Sequence, residues 1–238
     1  MFKAFEGIDA VVHYASHPEP DFDFSTGAQR FHNNTLCTYN VFNAACALQM
    51  EKVVWASSET VLGFPFDTCL PDSIPVDESH SLKPQNSYSL SKVICEELAH
   101  YMNKLYGVPF IGLRLSNVLY TDTRQRHSYV KIPSYWNDLS SRKFNLWSYI
   151  DARDSARATR MALESEISNS ENFIIAAADS IMCQTNPELI DAVMPGVPIR
   201  DDHRDHQSMI SSSKAARLLN WEPEYSWRDV LGKISNQQ

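Results

Sequence analysis

The sequence is short of glycine: it has seven in 238 residues, where an average chain of that length carries roughly seventeen. Gly7, Gly27, Gly63, Gly107, Gly112, Gly196 and Gly232 are scattered singly. They form neither a G-x-G-x-x-G turn nor a P-loop, so these residues hold no phosphate cradle of either kind. Basic residues are also scarce, with 21 Lys and Arg against 29 Asp and Glu for a net charge of −8. That balance argues against a nucleic-acid partner or an anionic membrane surface. The five cysteines (Cys37, Cys46, Cys69, Cys95, Cys183) are odd in number and include no C-x-x-C. A disulfide framework and a cysteine zinc site are thereby disfavoured, and reduced thiols are expected. No apolar run has the length of a membrane span. The opening residues Met1-Phe2-Lys3-Ala4-Phe5-Glu6-Gly7 lack the apolar stretch of a signal peptide. The expectation is a cytoplasmic chain, and its 43% hydrophobic content is enough for a sizeable core.

What is present alternates. Ile8 to Ala15 reads as a buried strand, Gln29 to Met50 as a helix, and Val53 to Ala56 as a second strand. A Pro-rich loop from Phe64 to Pro84 leads into a helix headed by Tyr88, and Val108 to Leu115 is a third strand. Strands alternating with helices of this length point to a parallel α/β sheet. Further on, the pattern predicts short helices over Ile132–Ser140 and Asp154–Glu164 and strands over Leu146–Ile150 and Phe173–Ala177. The last expected helices are Pro187–Met194, Ser212–Asn220 and Trp227–Ile234.

Tyr88 and Lys92 stand four apart at the head of the second long helix, which puts them on one face, one turn apart. A phenol's ordinary pKa of about 10 is too high for ready proton exchange at neutral pH. A neighbouring ammonium is expected to lower it, giving an acid/base device for a carbinol or carbonyl. The run Lys52-Val53-Val54-Trp55-Ala56-Ser57-Ser58 ends a strand in small hydroxyl residues. Ligands of open α/β sheets bind at the carboxyl ends of strands, so Ser58 is expected beside the Tyr88 hydroxyl. Two other clusters are discounted. Asp201-Asp202-His203-Arg204-Asp205-His206 has metal-ligand residue types but lies in an expected loop, and no metal site is assigned. Tyr135, Trp136, Trp147 and Tyr149 are read as core of a second lobe.

Seven ordered segments resemble the extended short-chain dehydrogenase/reductases, the NAD-dependent epimerase/dehydratase family. Gly7 to Ala15 is similar to a family strand that ends beside the cofactor. Asn34-Thr35-Leu36-Cys37-Thr38-Tyr39-Asn40-Val41 resembles N-x-x-G-T-x-N-V, with Cys37 in place of glycine. Ser57-Ser58 through Gly63 resembles S-S-x-x-V-Y-G with Leu62 for tyrosine, and Tyr88-x-x-x-Lys92 resembles the catalytic helix. Leu113-Arg114-Leu115-Ser116-Asn117-Val118 resembles L-R-x-x-N-V. Tyr149 to Asp154 and Ser213 to Pro223 complete the series. The resemblance implies a Rossmann-like doubly wound sheet, hydride transfer, and NAD or NADP as cofactor. It implies that Tyr88 is the acid/base, that Lys92 lowers its pKa and holds the nicotinamide ribose, and that Ser58 positions the substrate oxygen. Tyr14, Ala15, Ser16, Asn34 and Ser116 match cofactor positions, and Glu59, Asn117 and Arg124 are candidate substrate contacts. The expected division is a cofactor domain over 1–120 and a C-terminal substrate lobe over 121–238. A homodimer is expected by the same likeness.

The family pattern opens with a strand, a glycine-rich turn and a helix that have no counterpart here. The expectation is therefore a sheet lacking its N-terminal part, from an incomplete gene model. Family dehydratases carry an acidic pair after the catalytic hydroxyl residue. Here Glu59 is followed by Thr60, which cannot act as the eliminating base. Epimerases and simple sugar dehydrogenases fit better. Three readings stay open: a sugar or sugar-nucleotide oxidoreductase/epimerase, a free-sugar or uronate dehydrogenase, and a catalytically silent binding or scaffold protein.

Overall fold

A computed structural model describes residues 1–19, 24–66, 69–121 and 128–235, with side chains up to 232. In chain order the elements are α1 (Phe2–Phe5), β1 (Ala10–His13), α2 (Phe24–Ala47), β2 (Lys52–Ala56), α3 (Ser87–Tyr106), β3 (Phe110–Leu115) and β4 (Val118–Leu119). They continue with β5 (Ile150–Asp151), α4 (Ala152–Glu164), β6 (Glu171–Ile175), α5 (Asn186–Val193), α6 (Ser213–Leu219) and α7 (Trp227–Ser235). The main sheet has the order β1-β2-β3-β6. β1 pairs β2 in parallel, with Val11 opposite Val53, and β2 pairs β3 in parallel, with Val54 opposite Ile111. A long helix follows each of β1 and β2, so two βαβ crossovers build the sheet, as the alternation predicts.

The chain divides into two compact units. The first comprises 1–62, 82–114 and 159–173. β2 is buried along nearly its whole length because helices cover both faces of such sheets. Its apolar centre gathers Phe42 of α2, Trp55 of β2 and Phe110 of β3. The Phe42 ring lies 5.5 Å edge-on from Trp55 and 4.4 Å from Phe110. Cys46, Cys95, Ala99 and Met102 fill the space around them. Gly112 is required in β3, because an added Cβ would meet the side chains of Asn172 and Trp55.

The second unit comprises 63–81, 115–158 and 174–238. Its buried aromatics are tied down by polar atoms. Tyr129 donates to Asp151 at 2.5 Å, Tyr149 donates to Asp179 at 2.6 Å, and the Trp227 amide donates to Tyr149 at 2.9 Å. The expected strand over Leu146–Ile150 is corrected. Leu146 and Trp147 have φ of 52° and 50°, a left-handed conformation no strand contains, and only Ile150–Asp151 pairs, with β4. Over Ile132–Ser140 the expected helix is instead a 3-10 segment at Ser128–Tyr135, with Pro133 inside it. Trp147 and Tyr149 are fully buried, as expected of core residues.

Candidate active site

The site is assembled at the carboxyl end of β2, where the backbone turns through Ser57 and Ser58 into a 3-10 turn at Glu59–Leu62. α3 supplies the other half. Asn86 caps its start: its side chain accepts from the Ser89 amide at 2.8 Å, and the Ser89 hydroxyl accepts from the Asn86 amide at 3.1 Å. This reciprocal box satisfies two orphan donors and fixes where the first turn begins. Tyr88 and Lys92 then fall on the buried side of α3, at 7% and 3% exposure.

The Ser58 hydroxyl acts on the Tyr88 phenol, drawing the phenol's pKa down. Its own oxygen accepts from the Thr60 amide at 3.2 Å and the Thr60 hydroxyl at 3.0 Å, which fixes its direction. The Lys92 ammonium donates to the Ala56 carbonyl at 2.8 Å and to the Ser16 hydroxyl at 3.4 Å, and lies 5.5 Å from the centre of the Tyr88 ring. Four expected residues, Ser16, Ser58, Tyr88 and Lys92, thus meet in one unit.

The expected electrostatics are corrected. Burial pushes the Tyr88 phenol above its ordinary pKa. The Ser58 hydrogen bond opposes this, and the Glu59 carboxylate reinforces it. Desolvation is the largest influence on the phenol, and the Lys92 ammonium is engaged by the Ala56 carbonyl. Lys92 is itself pulled down to about 8 by burial, with the Cys95 and Cys37 thiols working the other way. His13, at the end of β1, is pulled down to about 4 by burial and by the charge of Lys92, and shares a 3.2 Å hydrogen bond with Thr38. It is a neutral ring at physiological pH.

The remaining expected residues are more dispersed. Asn34 is buried, but its amide clamps the backbone after β1: Oδ1 accepts from the His17 amide at 2.8 Å and Nδ2 donates to the His17 carbonyl at 3.1 Å. It shapes the loop carrying Ser16. Tyr14 and Ala15 are exposed, and the Tyr14 hydroxyl shares a 2.6 Å hydrogen bond with Thr159. Glu59 is buried in the turn after Ser58. Ser116 and Asn117 belong to the second unit, where Ser116 is buried with its amide on the Ile175 carbonyl at 3.0 Å and Asn117 is exposed. Arg124 lies outside the described residues. Sequence reasoning missed His13, Ser57, Glu96 and Arg114. For Glu96 a signal was available, since it lies four residues beyond Lys92 on the same helical face.

Residues 1–176 match the model of the NAD dependent epimerase/dehydratase family. The chain belongs to that family. It therefore falls among enzymes of the extended short-chain dehydrogenase/reductase class, which depend on NAD or NADP. A UDP-glucose 4-epimerase of Halalkalibacterium halodurans is 24% identical over 92% of this chain and 72% of its own length. An L-arabinose 1-dehydrogenase (NAD(P)(+)) of Haloferax volcanii is 32% identical, over 51% of this chain and 50% of its own. In fold, a short-chain dehydrogenase/reductase superfamily protein from Agrobacterium tumefaciens, solved with bound NAD, superposes at a TM-score of 0.69 with 19% identity. That match covers 99% of this chain and 80% of the other. Among the described residues no helix is long and apolar enough to cross a membrane.

Proposed function

We propose that this chain is a sugar-nucleotide 4-epimerase that works by hydride transfer with NAD or NADP, with Tyr88, Lys92 and Ser58 as its catalytic residues. The observation that carries this reading is the meeting of the Ser58 hydroxyl and the Lys92 ammonium around the Tyr88 phenol at the end of β2. The donor set, a phenol, two serine hydroxyls and a primary ammonium, suits the hydroxyl-rich ribose of a nicotinamide half. Tyr88, Lys92, Ser16, Tyr14, Ala15, Asn34 and Ser116 would hold that half. Bound there, the cofactor would supply hydride exchange with a carbinol carbon.

Tyr88 keeps its proton in this state, so it is set to donate to a keto oxygen. Removing a proton from a sugar hydroxyl needs the phenolate, which Ser58 stabilises by donating. Glu59, Asn117 and Arg124 are the proposed substrate contacts, with 1–120 as the cofactor side and 121–238 as the substrate side. Pairing of two copies through α3 belongs to the same proposal. So does a reducing, cytoplasmic setting, which suits five free cysteines.

The test is incubation with UDP-glucose and saturating NAD. Conversion to the 4-epimer without net NADH supports the proposal. Net NADH from a free pentose or uronate supports a dehydrogenase instead, a second reading favoured by the 32% identity to the arabinose enzyme. Loss of water to a 4-keto-6-deoxy sugar would contradict the reading of Thr60. Tyr88→Phe keeps the ring and removes the proton. It is expected to cut turnover at least the roughly hundredfold typical of a lost general acid/base, with NAD affinity unchanged.

A further inference from the structure

Tyr88, Lys92 and Glu96 are spaced by four on α3, and each engages one of three consecutive residues at the end of β2. The Tyr88 phenol feels the Ser58 hydroxyl, Lys92 donates to the carbonyl of Ala56 at 2.8 Å, and Ser57 donates to Glu96 Oε1 at 2.6 Å. Glu96 is held in turn by Arg114 of β3, with Nε on Oε1 at 2.9 Å and Nη2 on Oε2 at 2.7 Å. Ser57, Glu96 and Arg114 are 3%, 4% and 5% exposed.

We propose that Glu96 is a positioning residue for the acid/base pair. Through the Ser57 hydroxyl its carboxylate fixes the backbone that presents the Ala56 carbonyl to Lys92 and the Ser58 hydroxyl to Tyr88. This rests on the reading of Tyr88 as the acid/base, since only then does its alignment govern a rate.

Anchoring the Ser57 hydroxyl to Glu96 restrains the peptides on either side of it, the one that carries the Ala56 carbonyl and the one that leads into Ser58. A rotation of the peptide between Ala56 and Ser58 would withdraw two groups at once, the carbonyl that holds the ammonium and the hydroxyl that meets the phenol. The Ser57–Glu96 bond opposes that rotation. A buried bond to a carboxylate is stronger than its exposed counterpart and leaves less freedom, because no water competes for it. Arg114 is needed in the same device. A carboxylate this deeply buried is tolerated only when paired, and the two-pronged contact fixes its plane as well as its charge. β2, β3 and α3 are thereby locked together at one point, four residues beyond Lys92 on α3.

The test compares Ser57→Ala, Ser57→Thr and Glu96→Gln with the unmodified chain, measuring kcat and KM for UDP-glucose at saturating NAD. Ser57→Ala leaves the Glu96–Arg114 pair intact and is expected to lower kcat by roughly ten- to a hundredfold through misalignment, with KM little changed. Ser57→Thr restores the hydroxyl and is expected to recover most of the rate. Glu96→Gln is expected to match the alanine variant. Where that variant fails to fold, as judged by its unfolding transition, Ser57→Ala decides alone. An unchanged kcat in Ser57→Ala, or a loss that Ser57→Thr does not repair, overturns the positioning role. Tyr88→Phe run alongside separates the two claims. If it is fully active, the reading of the site fails. If it is inactive while Ser57→Ala turns over normally, only the role of Glu96 falls.

Discussion

Lys92 is the residue at which function and stability pull apart. Its ammonium is 3% exposed, and burial brings its pKa to about 8. An unfolded lysine titrates near 10.4. Below pH 8 both states are protonated and the folded chain bears the full cost of burying the charge. Between pH 8 and about 10.4 the unfolded state binds the extra proton, so stability gains with rising pH from this group. Lys92→Met keeps the bulk and removes the charge, at the expense of leaving the Ala56 carbonyl without its donor. It is expected to raise stability at pH 7 by about 1–2 kcal/mol while abolishing turnover, the trade expected of a strained functional site. The gap over the unmodified chain should close by about pH 10. Denaturant titrations of both chains across that range check it. A variant less stable at pH 7 would show that the hydrogen bonds of Lys92 outweigh its desolvation.

Among the elements, the structure rewards the parts of the sequence where one periodicity ruled. β1, α2, β2, α3 and β3 were legible because apolar runs of strand length alternate with helical spacing, while the caps at the ends of α3, Asn86 with Ser89 and Gly107, came from the structure. Gly107 closes that helix at φ 79°, the left-handed cap that glycine adopts without a Cβ penalty. Leu146–Ile150 misled for the opposite reason. Its apolar content comes from side chains buried off a left-handed turn, and hydrophobicity carries no record of φ. In the site, spacing exposed Tyr88 and Lys92. The direction of the phenol's shift was hidden, since it depends on burial that only the tertiary fold supplies. Ser57 and Arg114 were hidden in the same way, being far apart in sequence and joined to Glu96 only across α3, β2 and β3. Gly112 shows the reverse situation, a glycine whose scarcity gives it weight. In Gly112→Ala the new methyl would press on Asn172 and on the Trp55 ring, whose atoms lie 3.1 and 3.2 Å away. Overpacking of this kind is expected to cost about 1–3 kcal/mol, seen as a lower denaturant midpoint with an unchanged slope. Gly232→Ala, with nothing within 4 Å, serves as the control.

For the whole molecule, the deciding facts are the scarcity of glycine and the edge of the sheet. A dinucleotide's paired phosphates are held by backbone N–H groups at a glycine-rich turn and a helix start, and none of the seven glycines here forms such a motif. On the reading proposed above, Ser16, Tyr88 and Lys92 would hold only the nicotinamide half. The other fact is β1, which pairs with β2 alone in the described sheet and leaves its second side unpaired. Ile8, Val12 and Tyr14 are between 40% and 47% exposed around it. An apolar strand edge of this kind invites pairing with another chain. The 238-residue polypeptide is therefore expected to bind NAD and NADP weakly, with Kd of roughly millimolar order, and to associate as its concentration rises. Titration calorimetry measures the first, and light scattering across a dilution series measures the second. Val12→Lys, which places a charge on the exposed edge, should reduce association through β1, leaving pairing through α3 and the weak NAD affinity unaltered. Micromolar binding by a monodisperse monomer would place a phosphate-holding surface among residues that carry no glycine motif. Cofactor grip in this chain would then not depend on a glycine-rich turn.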